Sequence, residues 1–156
     1  MQGREIMSDT IFKIFPRYSH QAYTDEQIIG TVNTLKLYST EKITFTNYGN
    51  IQFIDCGEGL EHIFCQWCGY EFNQEYWQEA MNKAYNGKSF GYLGLKTPCC
   101  NLLSSLDEFI FVKPCGFATF VIEVHNPTII PCVIELQEMG RCFGNIKFFR
   151  MITAHI

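Results

Sequence analysis

Apolar and polar positions fall in blocks along the chain, and the period of each block predicts an element. Residues 10–15 (TIFKIF) read as a strand that Pro16 stops. Thr24 and Gln27 have capping-box spacing, and Ile28, Ile29, Val32 and Leu35 recur at helical spacing, which predicts a helix to residue 37 or 38. Residues 42–46 (KITFT) and 51–54 read as two strands of a hairpin turned at Asn47-Tyr48-Gly49-Asn50. Asn73 caps a second helix, with Tyr76, Trp77, Ala80, Met81, Ala84 and Tyr85 on one face and Asn86-Gly87 at its end. A short extended piece at 92–95 and a strand at 105–112, broken by Pro114, follow. Residues 117–124 (FATFVIEV) are apolar at nearly every position, the pattern of a strand covered on both faces. A third helix starts at Thr128 or Ile130, with Pro131 in its first turn, an apolar stripe of Ile129, Cys132, Val133, Leu136 and Met139, and Gly140 at its end. The last strand is placed at 146–152.

The order is strand-helix-strand, then a cysteine-bearing stretch, then strand-helix-strand. Two such halves predict an α+β fold of ferredoxin-like (βαβ…βαβ) type. The expected organisation is a single domain over residues 8–156 with a zinc-ribbon-like insertion at 60–114. Met7 reads as an alternative start, so residues 1–6 enter no structural expectation. No internal repeat or low-complexity tract is present.

Composition narrows the function classes. Of 156 residues, 47% are apolar and 15% aromatic, which excludes disorder; only 18% are charged, which leaves apolar surface for a partner. The net charge of −4, from 12 basic against 16 acidic residues, disfavours duplex binding, which draws on phosphate neutralisation. No apolar run approaches the ~20 residues that span a bilayer. The first ten residues lack a signal-peptide core, so a cytoplasmic protein is expected.

The chain carries eight cysteines. In a reducing compartment, close pairs point to metal rather than to disulfides. Cys65 and Cys68 form C-x-x-C-G, a sequence in which the glycine permits a sharp turn that aims backbone N–H groups at sulfur. The second pair, Cys99 and Cys100, is adjacent, so the two share one ion only if the chain bends between them; Pro98 makes that bend accessible. The expected ligand set for one structural zinc is Cys65, Cys68, Cys99 and Cys100. A rival set exchanges one of the second pair for His62, and a third reading has no metal and treats the thiols as buried or redox residues. Four protein ligands leave no open position for a substrate.

No catalytic residue is assigned. The loop Asp55-Cys56-Gly57-Glu58 has the look of an acidic catalytic loop but more often is a polar turn, and no histidine is brought to Cys56 by the pattern. His125 reads as a strand-end residue with a satisfied hydrogen bond. Glu75 and Glu79, one turn apart, read as a solvated helix flank. Trp67, Tyr70, Phe72, Tyr76 and Trp77 surround the first cysteine pair, either packing on the site or forming a binding surface. No phosphate-cradling glycine loop, G-x-S-x-G or H-E-x-x-H occurs.

The segments FIDCG, FCQWCG, EYWQEAMNKAY, TPCC, PCGFATFVIEVHNP and the terminal AHI resemble those of an uncharacterised family of small bacterial proteins, over residues 42–156. The resemblance implies a C-x-x-C, a tryptophan-bearing helix, a second cysteine pair and a P-x-GFA-x-F strand ending in NP. It supports the metal reading and implies no activity; TPCC departs from the C-x-x-C of relatives at Cys99. The leading functional expectation is a non-enzymatic, zinc-stabilised protein-interaction module of inhibitor or immunity-like type. The alternatives are nucleic-acid binding through a face near Lys83, Lys88 and Lys96, and a small enzyme using Cys56 or a histidine.

Overall fold

The computed structural model describes residues 10–36, 42–55, 61–113, 115–126 and 149–155. It is an α+β protein. The main sheet contains β1 (Thr10–Pro16), β2 (Ile43–Ile54), β8 (Gly116–His125) and β9 (Phe149–His155), in the order β2-β8-β1-β9 with every neighbouring pair antiparallel. β8 is buried along nearly its whole length, as its unbroken apolar run predicts. A strand with that many apolar side chains needs a neighbour on each edge and cover on both faces; the third helix expected from residue 128 or 130 lies outside the described residues.

Helix α1 (Asp25–Leu35) packs on one face of this sheet. Its start is a reciprocal cap: the Thr24 N–H donates to Gln27 Oε1 at 2.9 Å and the Gln27 N–H to Thr24 Oγ1 at 3.3 Å. Ile28, Val32 and Leu35 then meet Phe12, Ile14, Phe120, Ile122 and Val124 in one buried cluster. The period-3.6 stripe of the helix and the period-2 rows of two strands are thus the two sides of a single core. The predicted extension of this helix to 37 or 38 lies outside the described residues.

The expected hairpin over 42–54 is not formed. Both halves belong to one twelve-residue strand, β2, which pairs with successive halves of β8. Asn47 faces Phe120 and Gln52 faces Ala118, so the intended turn residues bulge out of the ladder opposite Thr119. Gly49 has φ +75° and its N–H is held by Asn47 Oδ1, while the Asn47 amide also donates to Tyr23 O at 2.9 Å and Asp25 Oδ1 at 2.8 Å. The turn chemistry was present, but the long apolar edge of β8 captured both flanks.

The bulge sends Ile51 toward the cysteine-bearing segment, where its carbonyl accepts from the Phe90 N–H at 2.8 Å. That segment contains β3 (Ile63–Phe64), β4 (Glu71–Phe72), α2 (Gln74–Ala84), β5 (Gly94–Lys96), β6 (Leu103–Ser105), a single 3-10 turn (Leu106–Glu108) and β7 (Ile110–Phe111). Two small sheets result, ordered β4-β3-β7 and β5-β6. The single strand expected at 105–112 is interrupted because Asp107 accepts from Ser105 Oγ and from Ser19 Oγ, turning the chain at Leu106. The last strand, expected at 146–152, is described over Phe149–His155 and so runs three residues past its expected end, in the register that pairs Thr10 with His155 and Pro16 with Phe149; residues 146–148 lie outside the described residues.

Asn73 caps α2, accepting from the Tyr76 N–H at 2.7 Å. Trp77, the one fully buried residue of this helix, sits between the two regions. Its ring meets Phe53 and Phe117 of the main sheet at 6.3 and 6.4 Å, and Phe109 and Phe111 of the cysteine-bearing segment at 6.3 and 5.4 Å. An aromatic seam therefore docks the segment on the end of β2 and β8. Among the described residues no helix is long and apolar enough to cross a membrane.

Candidate metal centre

β3 and β4 are the arms of a hairpin, with Ile63 opposite Phe72, and residues 65–70 form its tip. The Cys65 N–H donates to Tyr70 O at 2.8 Å and the Gly69 N–H to Cys65 O at 3.0 Å. This fold-back requires a left-handed residue at the fifth position, which Gly69 supplies at φ +77°. The Trp67 N–H lies 3.4 Å from Cys65 Sγ, as a backbone turned around a sulfur should.

β5 and β6 form a second hairpin, with Lys96 opposite Leu103 and residues 97–102 at its tip. The Thr97 N–H donates to Leu102 O at 2.9 Å and the Asn101 N–H to Thr97 O at 2.8 Å. Asn101 has φ +61°, a conformation asparagine tolerates better than most residues with a Cβ. The two tips match bond for bond. Thr97 stands where Cys65 stands, Cys100 where Cys68 stands, and Asn101 where Gly69 stands.

The tips face each other and bring four sulfurs together. The Sγ atoms of Cys65, Cys68, Cys99 and Cys100 all lie within 4.8 Å of one another, close enough to hold one metal ion. Cys68 and Cys99 approach to 3.3 Å, Cys65 and Cys100 to 3.8 Å, and Cys99 and Cys100 to 4.0 Å. The chain does bend between the adjacent cysteines, within the turn at 98–100. Cys65 is buried, Cys99 and Cys100 are half-buried, and Cys68 is exposed. His62, the rival ligand, is engaged elsewhere: its Nδ1 is 2.6 Å from Glu71 Oε2 and its ring stacks with Phe64.

Burial raises the Cys65 thiol, but the backbone N–H groups of Cys68 and Trp67, with contacts from Cys99 and Cys100, outweigh it and bring the thiol down to about 6. Burial pushes Cys99 the other way, to about 12, reinforced by contacts with Cys68, Cys65 and Cys100. A negative charge on Cys65 thus helps hold the proton on Cys99, the arrangement a cation relieves. The hydroxyl of Tyr76 is raised by burial and by the charges on Cys99 and Cys65.

The other candidates separate in space. Cys56, Gly57 and Glu58 lie outside the described residues, and Asp55 pairs with Lys13 at 3.5 Å. His125 ends β8, with its backbone N–H donating to Lys42 O at 3.0 Å. Glu75 and Glu79 are exposed, as expected of a solvated flank. The five aromatics divide into a buried pair, Phe72 and Trp77, a half-buried Tyr76, and two exposed rings, Trp67 and Tyr70. Lys83 and Lys96 border one groove of about 490 Å³ together with Glu79, and Lys88 is not among its lining residues. Thr97 and Asn101 were missed as parts of the site; the register T-x-x-C-N against C-x-x-C-G was their only signal.

No family model, no curated protein and no solved structure matches the chain.

Proposed function

We propose that this chain is a non-enzymatic binding module whose cysteine-bearing segment is held together by one structural zinc ion. The observation that carries the proposal is the gathering of four thiols on two matched hairpin tips. Zinc–sulfur bonds of about 2.3 Å at tetrahedral angles place sulfurs about 3.8 Å apart, and the separations of 3.3, 3.8 and 4.0 Å bracket that edge, with every pair within 4.8 Å. Thiolate donors favour zinc over magnesium, calcium or manganese. With four protein sulfurs the coordination shell is closed, which favours a structural role over a catalytic one. Four cysteines gathered for one ion fit the reducing environment of the cytoplasm.

Two hairpins with cysteine-bearing tips support the zinc-ribbon-like reading of residues 60–114. The strand order β2-β8-β1-β9, with β1-α1-β2 as one split unit, supports the ferredoxin-like reading of the remainder. The resemblance to a family of small bacterial proteins with paired cysteines accords with both.

The binding role is supported by what the tips present. Trp67 and Leu103 are 55% and 73% exposed, with Tyr70 and Leu102 beside them in sequence and also exposed. Trp67 Nε1 donates to Leu103 O at 2.8 Å, so the two tips form one apolar surface. Exposed patches of this composition mark protein interfaces. Metal analysis of the purified protein should return one zinc per chain and none in Cys65→Ser/Cys68→Ser. Capture from host extract should return a stoichiometric protein partner that Trp67→Ala/Leu103→Ala fails to retain. A metal-free wild-type chain would end the structural part of the proposal, and a partner held equally by the surface variant would end the assignment of the surface.

A further inference from the structure

The two hairpin tips are built alike but do not supply sulfur alike. Cys65 and Cys68 occupy the first and fourth positions of the first tip. Thr97 and Cys100 occupy those positions in the second. The fourth sulfur therefore comes from the third position, Cys99, whose counterpart in the first tip is the outward-facing Trp67. Its closest sulfur neighbour is Cys68, the exposed thiol, at 3.3 Å, inside the spacing of an ideal tetrahedral edge, whereas Cys65 and Cys100 sit at 3.8 Å.

Thr97 explains how the second tip survives without its first cysteine. It is fully buried, and its Oγ1 lies 3.1 Å from Cys100 Sγ and 3.2 Å from both the N and the O of Leu102. A hydroxyl has one proton to give. That proton points to Leu102 O at 3.2 Å or to Cys100 Sγ at 3.1 Å, and a thiolate at Cys100 would be the stronger acceptor of the two. The hydroxyl thus does two things that a cysteine at this position would not do together: it closes the turn and steadies the neighbouring ligand.

Resting on the metal reading above, we infer that the four sulfurs are unequal: Cys65, Cys68 and Cys100 anchor the ion, Cys99 is its exchangeable ligand, and Thr97 is a positioning residue for Cys100. Departure of Cys99 leaves three protein ligands and an open fourth position, the arrangement in which zinc accepts an external ligand. Imidazole or a thiolate is the class that suits this position, being the soft or borderline donors zinc takes.

The test is zinc release to an excess of a chromogenic chelator, read beside the thiolate charge-transfer absorption of the cobalt-substituted protein. Cys99→Ala should keep one metal per chain with three thiolates' absorption, shift its spectrum on adding imidazole, and release zinc roughly 10–100-fold faster, the scale on which supporting contacts tune metal sites. Thr97→Cys/Cys99→Ala rebuilds a C-x-x-C and should recover the four-thiolate spectrum, slow release and indifference to imidazole. Thr97→Val should release faster than wild type and Thr97→Ser should not. The inference is overturned if Cys99→Ala is as metal-free as Cys65→Ala, or if the rebuilt C-x-x-C binds no better than Cys99→Ala. A wild-type protein with no thiolate absorption would remove the metal reading itself, and the inference with it.

Discussion

The four-stranded sheet and the cysteine-bearing segment are stabilised by different means. In the sheet, strands of seven to twelve residues share long ladders, and aliphatic side chains with a few rings fill the space beneath α1. In the segment no strand exceeds three residues, and the core is a knot of rings, Phe72, Trp77, Phe90 and Phe109, with Cys65 buried among them. Two-residue strands contribute few hydrogen bonds and cannot hold a sheet by themselves. On the proposed zinc reading the segment relies instead on two supports: the thiol cluster at one end and the aromatic seam against Phe53 and Phe117 at the other.

The strongest way to break this comparison is to remove the cluster. Binding energy of a structural zinc is on the order of 10 kcal/mol and is coupled to local folding. In Cys65→Ser/Cys68→Ser, amide exchange over residues 61–113 should become fast while β1 and β8 stay protected. Equal loss of protection in β8 would show one cooperative unit, not two. On the proposed zinc reading acid should reach the same state, because protons compete with a metal ion for thiolate ligands.

The second support is next in size. Trp77→Ala should cost about 3–5 kcal/mol in denaturant unfolding and should speed metal release, because it loosens the seam. Ile122→Ala, beneath α1, should cost about 2–5 kcal/mol and leave the release rate unchanged. If both variants release metal alike, the two regions are not separable. A smaller effect, about 1 kcal/mol, is expected of Asn73→Ala, which removes the cap of α2, and a melting curve resolves it. The smallest belongs to the His62–Glu71 pair. Both side chains are about half exposed, so His62→Ala should change stability by at most about 1 kcal/mol and leave metal content intact, the result that sets it apart from the cysteines.

The local signals read most clearly where one residue and its near neighbours decide the outcome. The Thr24–Gln27 cap, the Asn73 cap and the Gly69 turn all appear where the residues placed them, because each needs only hydrogen bonds within one turn of chain. The cysteines that meet were legible as two pairs. Their pairing made a shared ion the expectation, but the approach of Cys68 and Cys99, thirty-one residues apart in sequence, is set by how the two hairpins pack.

What the chain determined by itself was its vocabulary: which stretches bury, which turn, where helices begin, and which sulfurs come in pairs. These are short-range properties, set by side-chain chemistry and backbone preference. What only the tertiary structure decided was how that vocabulary was used. Asn47-Tyr48-Gly49-Asn50 suits a hairpin or a bulge equally, and the unsatisfied edge of β8 chose the bulge. Residues 105–112 are apolar enough for a strand, yet hydrogen bonds from Ser19 and Ser105 to Asp107 broke them into two. Thr97 became the equivalent of a cysteine only when two distant hairpins folded to the same geometry and faced each other. Such choices depend on partners far along the chain, and no local pattern contains them.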